Sequence, residues 1–150
     1  MKLLIIMLMA MLTTTMAEGQ DPLPQAVDQA FKSRFSKAKD VSWFREYACY
    51  VFEFEIPPEM YSAAFDESGN WIETARIIND MDVPSPVNNL VKKQYPKMIV
   101  SYTETVETSK SEKFFRVHGC SDGAEHTINI TKEGKILSSR DKEFTTKTTE

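Results

Sequence analysis

Val27-Asp28-Gln29-Ala30-Phe31-Lys32-Ser33-Arg34-Phe35 and Val87-Asn88-Asn89-Leu90-Val91-Lys92-Lys93-Gln94-Tyr95 stand 60 residues apart and read alike. In each, four apolar side chains at i, i+3, i+4 and i+8 fall on one stripe of a 3.6-residue helix. A segment that occurs twice governs how its surroundings are read, because missing a repeat misassigns the whole fold. Working outward, Val41-Ser42-Trp43 matches Val100-Ser101-Tyr102 at an offset of 59. Past a hairpin six residues longer in the second copy, Tyr50, Phe52 and Phe54 match Phe115, Val117 and Gly119 at an offset of 65. Phe65-Asp66-Glu67-Ser68-Gly69-Asn70-Trp71-Ile72 matches Ile130-Thr131-Lys132-Glu133-Gly134-Lys135-Ile136-Leu137 at the same offset.

After each helical stripe the apolar period changes from 3.6 to 2. Val41/Trp43, Tyr50/Phe52/Phe54/Ile56 and Tyr61/Ala63/Phe65 alternate and are rich in aromatic and β-branched residues, which predicts strands. The links between them are short: Pro57-Pro58-Glu59, Asp66 to Asn70, Ser121 to Ala124 and Lys132 to Lys135. Parallel neighbours need crossovers of a dozen or more residues, so these strands pair antiparallel. Ser85 before Pro86 reads as a helix N-cap, and Pro96 ends that helix. The expected class is α+β: two tandem helix-plus-four-stranded antiparallel units, residues 18–80 and 81–144, forming a largely continuous sheet with both helices on one face. Residues 145–150 form a polar tail.

Ahead of the first unit lies Lys2, the apolar run Leu3 to Leu12, and Thr13-Thr14-Thr15-Met16-Ala17. This is the layout of a signal peptide, residues 1–17, cleaved between Ala17 and Glu18. Ten apolar residues fall well short of the roughly 20 that span a bilayer, and no other stretch comes nearer. A periplasmic or secreted chain without a membrane span is expected. Five of the eight Met residues belong to this segment, so they say nothing about a Met-lined site. Without Lys2 the chain carries 17 basic and 22 acidic residues, net −5, which excludes phosphate-dominated nucleic-acid binding.

The amphipathic helix with Phe31-Lys32 and a following Phe35 or Tyr95-Pro96, then Val41-Ser42-Trp43, an aromatic strand and Phe65-Asp66-x-x-Gly69-x-Trp71-x-Glu73-Thr74, resembles the PepSY-like proteins grouped with β-lactamase inhibitory protein. The resemblance extends over residues 24–144 and lies mostly in core and turn positions. It implies tandem helix-plus-sheet units in a secreted or periplasmic bacterial protein, with inhibitor members gripping an enzyme by the open sheet face and loops. No inhibitory residue of the family matches a position here.

Few residues point to chemistry. His118-Gly119-Cys120-Ser121-Asp122-Gly123-Ala124-Glu125-His126 gathers N, S and O ligands, yet its spacing fits no zinc motif and an ordinary hairpin accounts for it. Neither His accompanies a Gly-x-Ser-x-Gly elbow, no Gly-rich phosphate loop is present, and Glu53 and Glu55 read as a charged strand face. The expectation is therefore a non-enzymatic chain without a cofactor. Cys49 and Cys120 form an even pair in an exported chain, which permits a disulfide. Placing Tyr50, Phe52 and Phe54 under the helix puts Cys49, Val51 and Glu53 on the open face. Phe44, Tyr47, Trp71 and Phe114 then become the candidate contact aromatics, since Trp and Tyr commonly anchor interfaces. The expected function is a monomeric inhibitor-like module that binds a protein such as an envelope peptidase. The alternative is a small-ligand or metal carrier using the sheet face or the His118 to His126 hairpin.

Overall fold

Two helices and eight strands form over residues 22–144, the part of the chain that this computed structural model describes. Helix α1 (Gln25–Arg34) precedes β1 (Lys39–Glu46), β2 (Cys49–Ile56), β3 (Glu59–Asp66) and β4 (Trp71–Ile78). A 3-10 turn at Asp80–Asp82 leads to α2 (Ser85–Gln94), β5 (Ile99–Thr108), β6 (Lys113–Ser121), β7 (Ala124–Ile130) and β8 (Ile136–Glu143). The strands lie side by side in chain order in one antiparallel sheet. The expected cleavage point between Ala17 and Glu18 and the tail at 145–150 lie outside the described residues.

Register shows which side chains share a face. The cross-strand row Phe54, Tyr61, Arg76, Thr105, Phe115, Ile130 runs from β2 to β7 on the side that α1 and α2 cover. Val27 and Phe31 of α1 pack on Tyr50, Phe52, Phe54, Ala63 and Phe65. Phe31 stacks on Phe52 with ring centroids 4.1 Å apart and meets Phe54 edge-on at 5.2 Å. Under α2 the equivalent layer is aliphatic: Val87 and Val91 meet Val117, Ile128 and Ile130. Each such buried side chain contributes about 1.5–3 kcal/mol relative to exposure. The halves are joined through the β4–β5 ladder, where paired Ala75 and Val106 are buried on the face away from the helices.

Neither helix begins on a side-chain cap. Ser85 is the first residue of α2 rather than its cap; Pro84 holds that place, and its carbonyl accepts the N–H groups of Val87 and Asn88. The β3–β4 and β7–β8 turns press against the helix starts. A Cβ at Gly69 would stand 2.7 Å from the Ala26 carbonyl oxygen, and one at Gly134 would stand 2.8 Å from that of Pro86. Both glycines have φ of +84°, where side-chain-bearing residues are strained.

Candidate functional site

The face opposite the helices curls into a trough of 740 Å³ lined by residues from all eight strands, from Phe44 on β1 to Arg140 on β8. An untwisted sheet would not enclose such a hollow; the accumulated strand twist does. Its floor differs between the halves. Val51, Ala64 and Ile77 make the β2–β4 side largely apolar beside Ser62, Glu46 and Glu53, while Glu73, Glu104, Arg116, His118 and Asn129 make the β4–β7 side polar.

Arg116 organises the polar side. Its Nη1 and Nη2 donate to the two Glu73 carboxylate oxygens at 2.7 and 3.0 Å, and its Nε donates to Asn129 Oδ1 at 3.0 Å. This fork matches a carboxylate as a lysine could not. Burial disfavours the Arg116 charge, but the hydrogen bonds and charge of Glu73, with Glu104 behind it, outweigh burial and raise its pKa. Glu104, 8% exposed, lies 2.9 Å from His118 Nε2, and the Tyr102 ring stacks on His118 at 4.4 Å. Burial pushes the Tyr102 phenol upward, and the negative charges of Glu104 and then Glu53 push it further. Among the described residues no buried side-chain nitrogen or oxygen lacks a hydrogen-bond partner.

The four aromatics singled out in the sequence do not share one surface. Phe44 and Tyr47 line the trough, Tyr47 with 83% exposure at the β1–β2 turn. Phe114 faces the same side at the β5–β6 ladder, half-buried with the Arg116 guanidinium 5.6 Å from its ring. Trp71 is on the other side. It packs against the α1 core, takes the Arg34 guanidinium on its ring at 3.6 Å, and donates from Nε1 to Thr74 Oγ1. The cause is a β-bulge: Trp71 pairs with Phe65 while Glu73 pairs with Ala64, so Ile72 is inserted and the alternation reverses.

Cys49 and Cys120 are free thiols. They sit on β2 and β6, four strand spacings or on the order of 19 Å apart across the sheet, against the roughly 7 Å limit for bridged Cα atoms. Along the strands they also lie on opposite sides of the Phe54–Phe115 row, so the permitted disulfide does not form. The hairpin proposed as a metal ligand set is split as well. His118 pairs with Thr127 and faces the trough, whereas His126 pairs with Gly119 and faces the helix side. No group of three or more His, Cys, Asp or Glu among the described residues is placed to hold a metal.

The Glu73–Arg116–Glu104–His118 network was not singled out from the sequence. Its one local signal is the alternation on β6, where Phe114, Arg116 and His118 interleave with Phe115 and Val117. Glu73 comes from the other half of the chain, 43 residues away, and only the β4–β5 pairing brings it there.

An antiparallel sheet backed by two helices, with its second face open and furnished with charged and aromatic groups, defines an α+β protein. The chain belongs to the PepSY-like family: the family described as "Putative beta-lactamase-inhibitor-like, PepSY-like" matches residues 50–138. Its fold is similar to that of a BLIP-like protein from Bacteroides fragilis, at 21% identity and a TM-score of 0.65 over 87% of this chain and 94% of that one. A DUF2874 family protein from Bacteroides uniformis matches at 22% identity and a TM-score of 0.67, over 79% of this chain and 88% of that one. A protein of Bacteroides eggerthii described as "putative periplasmic" matches at 18% identity and a TM-score of 0.68, over 81% of this chain and 90% of that one. No curated protein matches the chain. Among the described residues no helix is long and apolar enough to cross a membrane.

Proposed function

We infer that the protein is an exported, monomeric binding module that holds a protein partner against its trough, in the manner of an inhibitor occupying an envelope enzyme. Export rests on the segment ending at Ala17, with Glu18 beginning the mature chain, and agrees with the periplasmic description of the B. eggerthii relative. The two helix-plus-four-strand halves are read as copies of one unit, since α1 and α2 start 60 residues apart and β3 and β7, like β4 and β8, start 65 apart. Recognition at the trough requires no catalysis, and no cofactor enters the reading.

The observation that carries this reading is the trough itself: an open concavity spanning every strand, with Tyr47 and Phe44 at one end and a fixed charge network at the other. Aromatic anchors beside pre-organised polar groups are what protein interfaces use for affinity. Glu53 and Glu46 lie in the apolar half with no ion-pair partner among the described residues, so this end suits a partner presenting a basic or hydrogen-bond-donating segment.

The test is affinity capture from a periplasmic extract with the wild type, with Tyr47→Ala plus Glu53→Arg, and with Lys32→Ala on the opposite side. A protein retained by the wild type and by Lys32→Ala but lost by the trough variant supports the reading. Native mass spectrometry that finds a discrete small mass bound in the trough, with no protein captured, would establish the carrier instead.

A further inference from the structure

Past the end of α2, on the helix-side face, three side chains from adjacent strands form a chain. Ser121 Oγ lies 2.8 Å from His126 Nε2, and His126 Nδ1 lies 2.8 Å from Asp141 Oδ1. An ionised carboxylate only accepts hydrogen bonds, so the imidazole proton sits on Nδ1. When the ring is neutral its lone pair is then on Nε2, 2.8 Å from Ser121 Oγ and placed to accept the hydroxyl proton. That polarity lets a base take the serine proton as Oγ attacks carbon, with the acid holding the ring in the required tautomer.

The arrangement is fixed by the sheet. His126 pairs with Gly119 on one side and Asp141 on the other, and the Met98 side chain occupies the space over Gly119. Tyr95 closes over the imidazole at 5.6 Å, leaving the His126 side chain 12% exposed while that of Asp141 is 60% exposed. Ser121 ends β6 and enters a two-residue turn in which Asp122 and Gly123 have φ of +48° and +80°. In such a turn the N–H groups of the two central residues stay outside the ladder. They follow the nucleophile directly in the chain, as an oxyanion donor does in serine hydrolases.

We propose that Ser121 is an acyl-accepting nucleophile, activated by His126 and oriented through Asp141, that reacts with small activated esters. With Tyr95 over the imidazole and Asp141 exposed, the room beside Ser121 suits short acyl groups, and the site lies on the face opposite the trough, so its chemistry is independent of binding there. In the first step Ser121 Oγ bonds to the ester carbonyl carbon and its proton passes to His126 Nε2. The carbonyl–oxygen bond to the leaving group breaks; a departing alkoxide takes the proton from His126 Nε2, whereas a phenoxide leaves as the anion and His126 gives the proton to water. Water, losing a proton to His126, then attacks the acyl carbon; the bond from that carbon to Ser121 Oγ breaks and His126 returns the proton to Oγ, giving the free acid and restoring Ser121.

The purified protein is incubated with p-nitrophenyl acetate, and adducts are located by peptide mass mapping. An acetyl group on Ser121 is expected, absent in Ser121→Ala, formed at least 100-fold more slowly in His126→Gln and at least tenfold more slowly in Asp141→Asn. Asp141→Asn keeps an exposed side chain of the same size, so it remains informative where His126→Gln does not fold. Failure to find an adduct on Ser121, or a labelling rate in a folded Asp141→Asn within twofold of the wild type, overturns the proposal.

Discussion

Arg116 shows how a single side chain fixes the character of the open face. Its side chain is 17% exposed, and each of its three guanidinium nitrogens donates to Glu73 or Asn129, with Glu104 4.0 Å away. Removing it leaves the half-buried Glu73 and the buried Glu104 without their cation, so Arg116→Ala is expected to cost on the order of 2–3 kcal/mol in urea unfolding. Tyr102 reports on the same network. Its phenol is expected to titrate above the usual tyrosine value by ultraviolet absorbance, and Glu53→Gln is expected to lower that midpoint, because one of the negative charges opposing phenolate has gone. Asp66 acts in the opposite direction. The side-chain amide and N–H of Asn70, then the N–H of Ser68, donate to its carboxylate and hold its pKa below the usual aspartate value. A depressed folded pKa gives stability that is present above the unfolded pKa and lost as pH falls through the folded one. NMR titration of the Asp66 carboxyl is expected to show the lowered midpoint, and Asp66→Ala is expected to remove that part of the acid sensitivity.

At the scale of elements, the helices and the turns they touch are mutually fitted. Phe31 is 4% exposed between Phe52, Phe54 and Phe65, and Phe31→Ala is expected to destabilise by about 3–5 kcal/mol in thermal or denaturant unfolding, since it removes a ring from the centre of this cluster. Gly69→Ala and Gly134→Ala place a methyl group against helix backbone at a positive φ, and each is expected to cost about 1–3 kcal/mol by the same measurement. The helical stripes were legible because Val27/Ala30/Phe31 and Val87/Leu90/Val91 need only local spacing. The strands of β2 and β3 were legible for the same reason. The face of Trp71 was not, because Glu73, Ala75 and Ile77 on the same strand keep the parity that the Ile72 bulge denies to Trp71. Periodicity extrapolated through a bulge inverts every residue beyond it.

Across the whole molecule, eight strands in chain order leave one side covered by two helices and the other curled into a trough. That order also keeps the cysteines apart, and alkylation of the denatured, unreduced protein is expected to modify two thiols per chain. The amino-acid sequence alone determined the helices, most strands, the antiparallel connections and the family resemblance, because these follow from local periodicity, short turns and core composition. Only the tertiary structure decided that Glu73 meets Arg116, that His118 and His126 face opposite ways, and that Ser121, His126 and Asp141 line up. Those pairings depend on strand register and bulges, which a chain sets by burying one face of the whole sheet rather than by any single segment.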